Sequence, residues 1–310
     1  MTGRTGVPEA AGAIDVLVLG GAGVDTIVYV PELPLPYADS YGIDSGILTR
    51  AGQTGDFVAL GLDALGLRTH HLDLVGDDPE GDLVRALHRE RGIGLTALPA
   101  PAGTKRAVNL VGPDGRRLSL YDTSRAHPGD RFPEDTLRAL AGASRHVHVT
   151  ITQPCAQALP VLVESGVPLS TDLHDWDGEN PYHEPFALAA DVVFLSVAAL
   201  CDPERTLRRI AERGRAEVVV ATAGAEGAYL LADGEPTRIP AVAPPGPVVD
   251  SNGAGDAFAA AFLYGRLAGE PPPRCARYGA VAGAHACTVP ATRAEPMGRD
   301  ALLARTAGTV

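Results

Sequence analysis

Lysine is all but missing from this 310-residue chain: Lys105 is the only one, and arginine supplies the rest of the basic side chains. Acidic residues outnumber basic ones by 38 to 26, a formal net charge of −12. That balance excludes a surface built to bind nucleic acid or an anionic membrane, both of which need a basic field. Cysteine is scarce, and Cys155, Cys201, Cys275 and Cys287 include no C-x-x-C pair. They read as reduced thiols of a cytoplasmic protein, which sets aside a disulfide framework and a zinc site. No apolar run reaches the roughly 18 residues that cross a bilayer. Residues 1–13 carry no apolar segment of the signal-peptide kind and read as a flexible tail.

What is present is a 45% hydrophobic composition, ample for a large core, arranged as alternating strand and helix patterns. Ile14 to Leu19 is a buried-strand run closed by Gly20 and Gly21. From Pro133 onward the rhythm is regular: helix to Ala141, strand Val147 to Thr150, helix Cys155 to Glu164, strand Pro168 to Thr171, helix Pro185 to Ala189, strand Val192 to Leu195. Such βαβ repetition predicts a doubly wound, mostly parallel sheet flanked by helices. Two stretches break the rhythm. Gly23 to Pro31 is β-branched and extended, with a further strand expected from Tyr41 to Thr49, and Thr104 to Tyr121 is a hairpin turning at Gly112-Pro113-Asp114-Gly115. Together they predict a small accessory sheet.

The chemistry concentrates at Asp250-Ser251-Asn252-Gly253-Ala254-Gly255-Asp256, followed by an apolar helical run from Ala257 to Leu267. Two glycines permit a tight turn and close approach to a ligand, and the first amides of the helix have no partner within it. Those amides and the positive end of the helix favour an anion. A carboxylate at Asp256 beside such a hole is suited to receive a proton. Phosphoryl transfer combines the two, with Asp256 as base and the amides of Gly253, Ala254 and Gly255 as anion hole.

This stretch resembles the Asp-Thr-x-Gly-Ala-Gly-Asp signature of the ribokinase-like (PfkB) carbohydrate and nucleoside kinases. The resemblance extends from about Ile14 to about Pro296. It implies an α/β core (14–25, 51–103 and 122–300) and a β lid (26–50 and 104–121) that closes over a sugar. By the same resemblance Asp25 binds substrate hydroxyls, as do Gly52, Gln53 and Asp56 of Ala51-Gly52-Gln53-Thr54-Gly55-Asp56, where Ala51 and Asp56 depart from the usual Gly and Asn. Thr222, Gly224 and Gly227 border the ATP phosphates. Asp250 and the Asn252 carbonyl would hold a monovalent cation such as K⁺, and Mg²⁺ would bridge the phosphates.

Val75-Gly76-Asp77-Asp78 reads as turn and helix cap. Two carboxylates, Asp25 and Asp56, favour a neutral sugar or polyol over a sugar phosphate. Asn252 matches the variant signature of adenosine kinases, which keeps a nucleoside acceptor open. His174, His183 and the aspartates near Trp176 read as a solvated loop in preference to a metal site. After the strand ending at Leu195 the family carries Asn-x-x-Glu, which orders water around Mg²⁺, whereas this chain has Ser196-Val197-Ala198-Ala199. Asp202 or Glu204 is the substitute within reach, and a ligand-binding protein that has lost turnover is the alternative. Lid pairing in relatives implies a homodimer.

Overall fold

The computed structural model describes residues 13–293 and 295–307, so most of the expected tail lies outside the described residues. In chain order the elements are β1 (Val16–Leu19), β2 (Val24–Tyr29), β3 (Leu48–Ala51), α1 (Thr54–Ala64), β4 (Thr69–Val75), α2 (Pro79–Arg91), β5 (Gly94–Pro99), β6 (Arg106–Val111) and β7 (Arg117–Tyr121). There follow α3 (Glu134–Gly142), β8 (Val147–Val149), α4 (Gln153–Ser165), β9 (Leu169–Asp172), α5 (Glu184–Ala189), β10 (Val192–Ser196), α6 (Pro203–Arg213) and β11 (Val218–Thr222). The chain then runs through β12 (Ala228–Ala232), β13 (Glu235–Ile239), α7 (Ala254–Leu267), α8 (Pro272–Ala286) and α9 (Arg299–Thr306).

Nine strands form the large sheet in the order β13-β12-β11-β10-β9-β8-β1-β4-β5. The seven from β11 to β5 are parallel, and β12 and β13 add an antiparallel edge. Its strands are apolar on both faces because helices cover both. Leu17, Leu19, Val149, Val193 and Leu195 face Leu140, Leu159, Phe186 and Leu207 of α3 to α6. Their neighbours in sequence face the other way. Val16 and Val18 meet α1 and α7, and Phe194, Val218 and Val220 meet α7 and α8 through Phe258, Phe262 and Cys275. The sheet is thus the middle layer of three, and the pattern agrees with the fold expected from the sequence.

The second sheet has four strands in the order β3-β2-β6-β7. Val24 and Asp25, which the sequence reading left in the core, already belong to it. The strand expected over Tyr41–Thr49 is shorter: pairing with β2 runs only from Leu48 to Ala51, ending at Ile27↔Leu48. Residues 38–47 lie mostly exposed and unpaired. The segment before them carries Pro31, Pro34 and Pro36, none of which can donate to a ladder.

Three helices start earlier than the sequence alone suggests, which puts their first residues at Ala257, Tyr278 and Phe57. Helix α7 starts at Ala254 because Gly253 (φ 73°) turns the chain at its N-cap, and α8 starts at Pro272, where a missing amide costs nothing. Helix α1 starts at Thr54. The strand β5 and the helices α6 and α9 were not anticipated. Helix α7 is the packing hinge of the molecule, since Phe262, fully buried, meets Phe194 edge-on at 5.3 Å between ring centres. Phe262→Ala is expected to destabilise the fold by about 3–5 kcal/mol, measured as a drop in urea midpoint; a loss below about 1 kcal/mol would mean that the site collapses around the cavity.

Candidate active site

The turn Asp250 to Gly255 brings the N-terminus of α7 to the carboxyl end of the large sheet. Ala254 N donates back to Ser251 O at 3.3 Å. Among the described residues nothing accepts from the amides of Gly253, Gly255 or Asp256, and these remain available to an anion. The expected hole of Gly253, Ala254 and Gly255 is therefore modified, because the Ala254 amide is turned into its own loop. Asp256 is half-buried, and Thr54 Oγ1 donates to its Oδ1. That bond joins the first residue of α1 to the third of α7, so the two sequence signatures meet in space. Burial pushes the Asp256 carboxyl above the usual carboxylate range; the Thr54 hydroxyl opposes this and the neighbouring Asp172 adds to it.

Asp25 lies on the face of the small sheet turned toward the same cleft and is 7% exposed. Burial raises its pKa to about 6, against the opposing pull of the Arg50 guanidinium, the Gln53 amide and Arg117. Gln53 Nε2 lies 3.5 Å from Asp25 Oδ1. Gly52 is not an open floor for substrate: the space beside its Cα holds the Arg50 guanidinium, which donates to Gly52 O at 2.9 Å.

Asp56 is fully buried. Its Oδ2 accepts from Gly23 N (3.1 Å) and Gln53 N (3.3 Å), and its Oδ1 meets His88 Nε2 at 2.8 Å and His71 Nδ1 at 3.3 Å. His71 in turn bonds Gly20 O through Nε2 at 2.9 Å, which requires a proton there. Asp56 therefore offers no oxygen to the cleft. The expectation that it accepts substrate hydroxyls as an asparagine would is corrected by these four donors. Burial opposes the Asp56 charge, yet the histidines hold its carboxyl below the ordinary range, and the carboxylate holds the His71 imidazolium above its own. Asp56, His71 and His88 are also the one group among the described residues with three metal-ligating atoms close together.

On the opposite side, Thr222 ends β11 half-buried, with Oγ1 donating to Leu195 O at 3.3 Å. Gly224 and Gly227 flank the turn that follows, and Ala223 N closes it on Gly227 O at 2.7 Å. Ser196 caps the short turn after β10, accepting from Ala198 N at 3.2 Å. Asp202 caps α6 through Arg205 N at 3.0 Å, and Glu204 pairs with Arg208 at 3.7 Å, so both proposed substitutes serve the helix. Asp172 stands nearer. One of its oxygens accepts from His174 N at 2.8 Å, and the other lies 3.5 Å from the position a Cβ on Gly255 would take.

Asp250 is fully buried. Its carboxylate takes four donors: Tyr29 Oη (2.9 Å), Ala291 N (3.0 Å), Asn252 N (2.8 Å) and Asn252 Nδ2 (2.7 Å). With those lone pairs occupied, the Asp250 side chain does not fit the role of cation ligand that the resemblance implies. Sequence reasoning missed Thr54, Tyr29, Asp172, His71, His88 and Arg117 as site residues. A signal existed for two of them: Thr54 directly follows a helix cap, and Arg117 shares with Ser119 the inward face of a predicted strand.

With this geometry in hand, the comparisons with known proteins are specific. A model of the pfkB family of carbohydrate kinases matches residues 189–297. The acarbose 7(IV)-phosphotransferase of Actinoplanes sp. (strain SE50/110) is 61% identical over 291 residues, covering 93% of this chain and 97% of that protein. Among solved structures, the microbiome-derived acarbose kinase Mak1 superimposes with a TM-score of 0.88 at 44% identity, covering 95% of this chain and 99% of the other. Ribokinase of Arabidopsis thaliana complexed with ribose and ATP shares the fold, with a TM-score of 0.78 at 21% identity over 96% of this chain and 99% of that one.

Two pH dependences follow. If Asp25 receives a hydrogen bond from a substrate hydroxyl, its carboxylate is the stronger acceptor, so with its pKa near 6 kcat/KM is expected to fall as pH drops through that value. Carboxyl NMR titration checks the origin, and a value near 3.8 would remove it. The Asp56–His71 pair stabilises the fold through both partners between pH 3.8 and 6.5, their unfolded values. Its histidine part is lost as pH rises through the elevated pKa of His71, and its aspartate part as pH falls through the depressed pKa of Asp56. Urea unfolding from pH 6 to 9 should show a decline that His71→Gln lacks.

Proposed function

The chain belongs to the pfkB family of carbohydrate kinases and is a sugar phosphotransferase, and on that footing we propose that it moves the γ-phosphoryl group of ATP to a hydroxymethyl group of acarbose or a sugar closely like it. The observation that carries the site assignment is the Thr54–Asp256 bond, which sets the acceptor loop against the base at the head of α7. The acceptor is supported by the 61% and 44% identities to enzymes named for acarbose. Asp25 is the carboxylate on the acceptor side that keeps a free oxygen, and it orients the hydroxyl.

Asp256, with one oxygen held by Thr54, takes the acceptor proton on the other. Its elevated pKa brings it nearer the working pH, where a base is most effective. The free amides at Gly253 and Gly255 receive the charge that spreads over the transferred group. ATP is expected along Thr222, Gly224 and Gly227. The unengaged oxygen of Asp172 at the edge of the anion hole is a hard donor of the kind Mg²⁺ takes, and the ion would supply charge neutralisation on the phosphates. This placement answers the missing Asn-x-x-Glu without Asp202 or Glu204.

The small sheet acts as a lid in this reading. Its outer face carries Leu118 and Leu120, 50% and 54% exposed, which supports pairing of two copies through it. No helix of the described residues is long and apolar enough to cross a membrane.

The test is ADP release over a panel of acarbose, ribose, fructose, a sugar phosphate and adenosine with Mg²⁺, and with K⁺ present or absent. Turnover is expected with acarbose, unchanged by K⁺, and reduced at least about 10²-fold in Asp256→Asn. Faster turnover of adenosine or ribose would overturn the proposed acceptor.

A further inference from the structure

Three consecutive residues ahead of the anion hole are each held by a different part of the small sheet. Tyr29, on β2, donates its hydroxyl to Asp250 Oδ2 at 2.9 Å. Gly115, at the β6–β7 turn, presents its carbonyl to both Ser251 N (3.2 Å) and Ser251 Oγ (2.8 Å). Arg117, on β7, donates from Nη1 to Asn252 Oδ1 at 2.7 Å. The core contributes less to the same stretch: Cys287 O accepts from Val249 N (2.9 Å) and Asp250 N (3.3 Å), and Ala291 N reaches Asp250. Even Ala291 is tied to the small sheet, through its amide to Tyr29 Oη at 3.1 Å and through its carbonyl to Arg50 Nε.

We infer that Tyr29 and Arg117 are positioning residues for phosphoryl transfer: they fix Asp250 and Asn252, and through them the left-handed turn at Gly253 that aims the free amides. The grip has a functional direction. If the small sheet lifts, the donor from Tyr29, the acceptor at Gly115 and the donor from Arg117 leave together. Among the described residues, Ser251 and Asn252 then keep only the 3.3 Å bond from Ala254 N to Ser251 O and the bonds Asn252 makes to Asp250. The anion hole is thus complete only with the sheet down over the site, which disfavours transfer to water. Arg117 also sits where both Asp25 and Asp256 feel its charge, so the same side chain spans acceptor, base and hole. This inference rests on the kinase reading above for its catalytic consequence, but not for its structural one.

The test uses the full-length protein with Tyr29→Phe, Arg117→Ala and Arg117→Lys. Amide hydrogen exchange in the free proteins is read over residues 249–256. Turnover is read with the best acceptor of the panel, and acceptor-independent ATP hydrolysis is measured beside it. The expected result is faster exchange confined to 249–256 in Tyr29→Phe and Arg117→Ala, and kcat lower by about 10- to 100-fold. The acceptor KM is expected within about twofold, with a higher ratio of hydrolysis to transfer and Arg117→Lys in between. Unchanged exchange in both variants overturns the inference. So does a raised acceptor KM with kcat intact, which would make Arg117 an acceptor contact. If no acceptor of the panel is turned over, the acceptor assignment fails while the exchange arm still decides whether the sheet holds the loop.

Discussion

The proposed site depends on two helices approaching closely enough for their N-termini to share it. Helices α1 and α7 meet where Gly61 faces Ala260, with room for nothing larger: a Cβ on Gly61 would stand 2.8 Å from that of Ala260. At the other end of α1 a Cβ on Gly55 would lie 2.0 Å from Gly20 O, so α1 is seated directly on the turn after β1. Small side chains permit backbone contact that larger ones would forbid. Once both helices are so placed, Thr54 reaches Asp256, and the unpaired amides of α7 open toward the acceptor loop. The apolar layers on the two faces of the large sheet hold this convergence without contributing a reacting atom.

Charge in the site is balanced by placement more than by number. Asp25, Asp172 and Asp256 cluster in a protein that already carries excess negative charge, and burial pushes Asp25 and Asp256 toward their neutral forms. Arg50 and Arg117 answer them from the small sheet, Arg50 with its guanidinium stacked 4.5 Å from the Phe57 ring centre. Arginine suits this position because its planar fork bonds several carbonyls at once. Asp56 follows a separate logic: its charge is neutralised by His71 beneath the loop, so it holds the loop's shape and leaves contact with substrate to others.

Much of this was legible in the chain. The glycines and aspartates of 250–256 suggest an anion hole and a base from sequence alone because turn, helix end and carboxylate are local chemistry. The parallel sheet was readable from apolar runs alternating with helical ones. What stayed hidden depends on distance along the chain. His71 and His88 carry no local mark of their meeting with Asp56, and Tyr29 shows no sign that its hydroxyl reaches Asp250, 221 positions away. The occupied carboxylates of Asp56 and Asp250 were misread for the same reason: sequence reveals a donor set only when its members are neighbours. Ala254 was misplaced within the hole because the turn bond to Ser251 depends on the left-handed Gly253.

The long excursion between β2 and β3 has a different kind of importance. Residues 31–47 contribute no member to any apolar cluster of the core and are largely solvent-facing, yet they spring from the strand that carries Asp25 and return on the strand that carries Arg50. Changes there are nearly free of folding cost while remaining adjacent in the chain to the strands that carry Asp25 and Arg50. Such a segment is where descendants of one ancestral enzyme can diverge in what they accept without disturbing how they catalyse, and where a laboratory library would find new acceptors at the smallest risk to the protein's integrity.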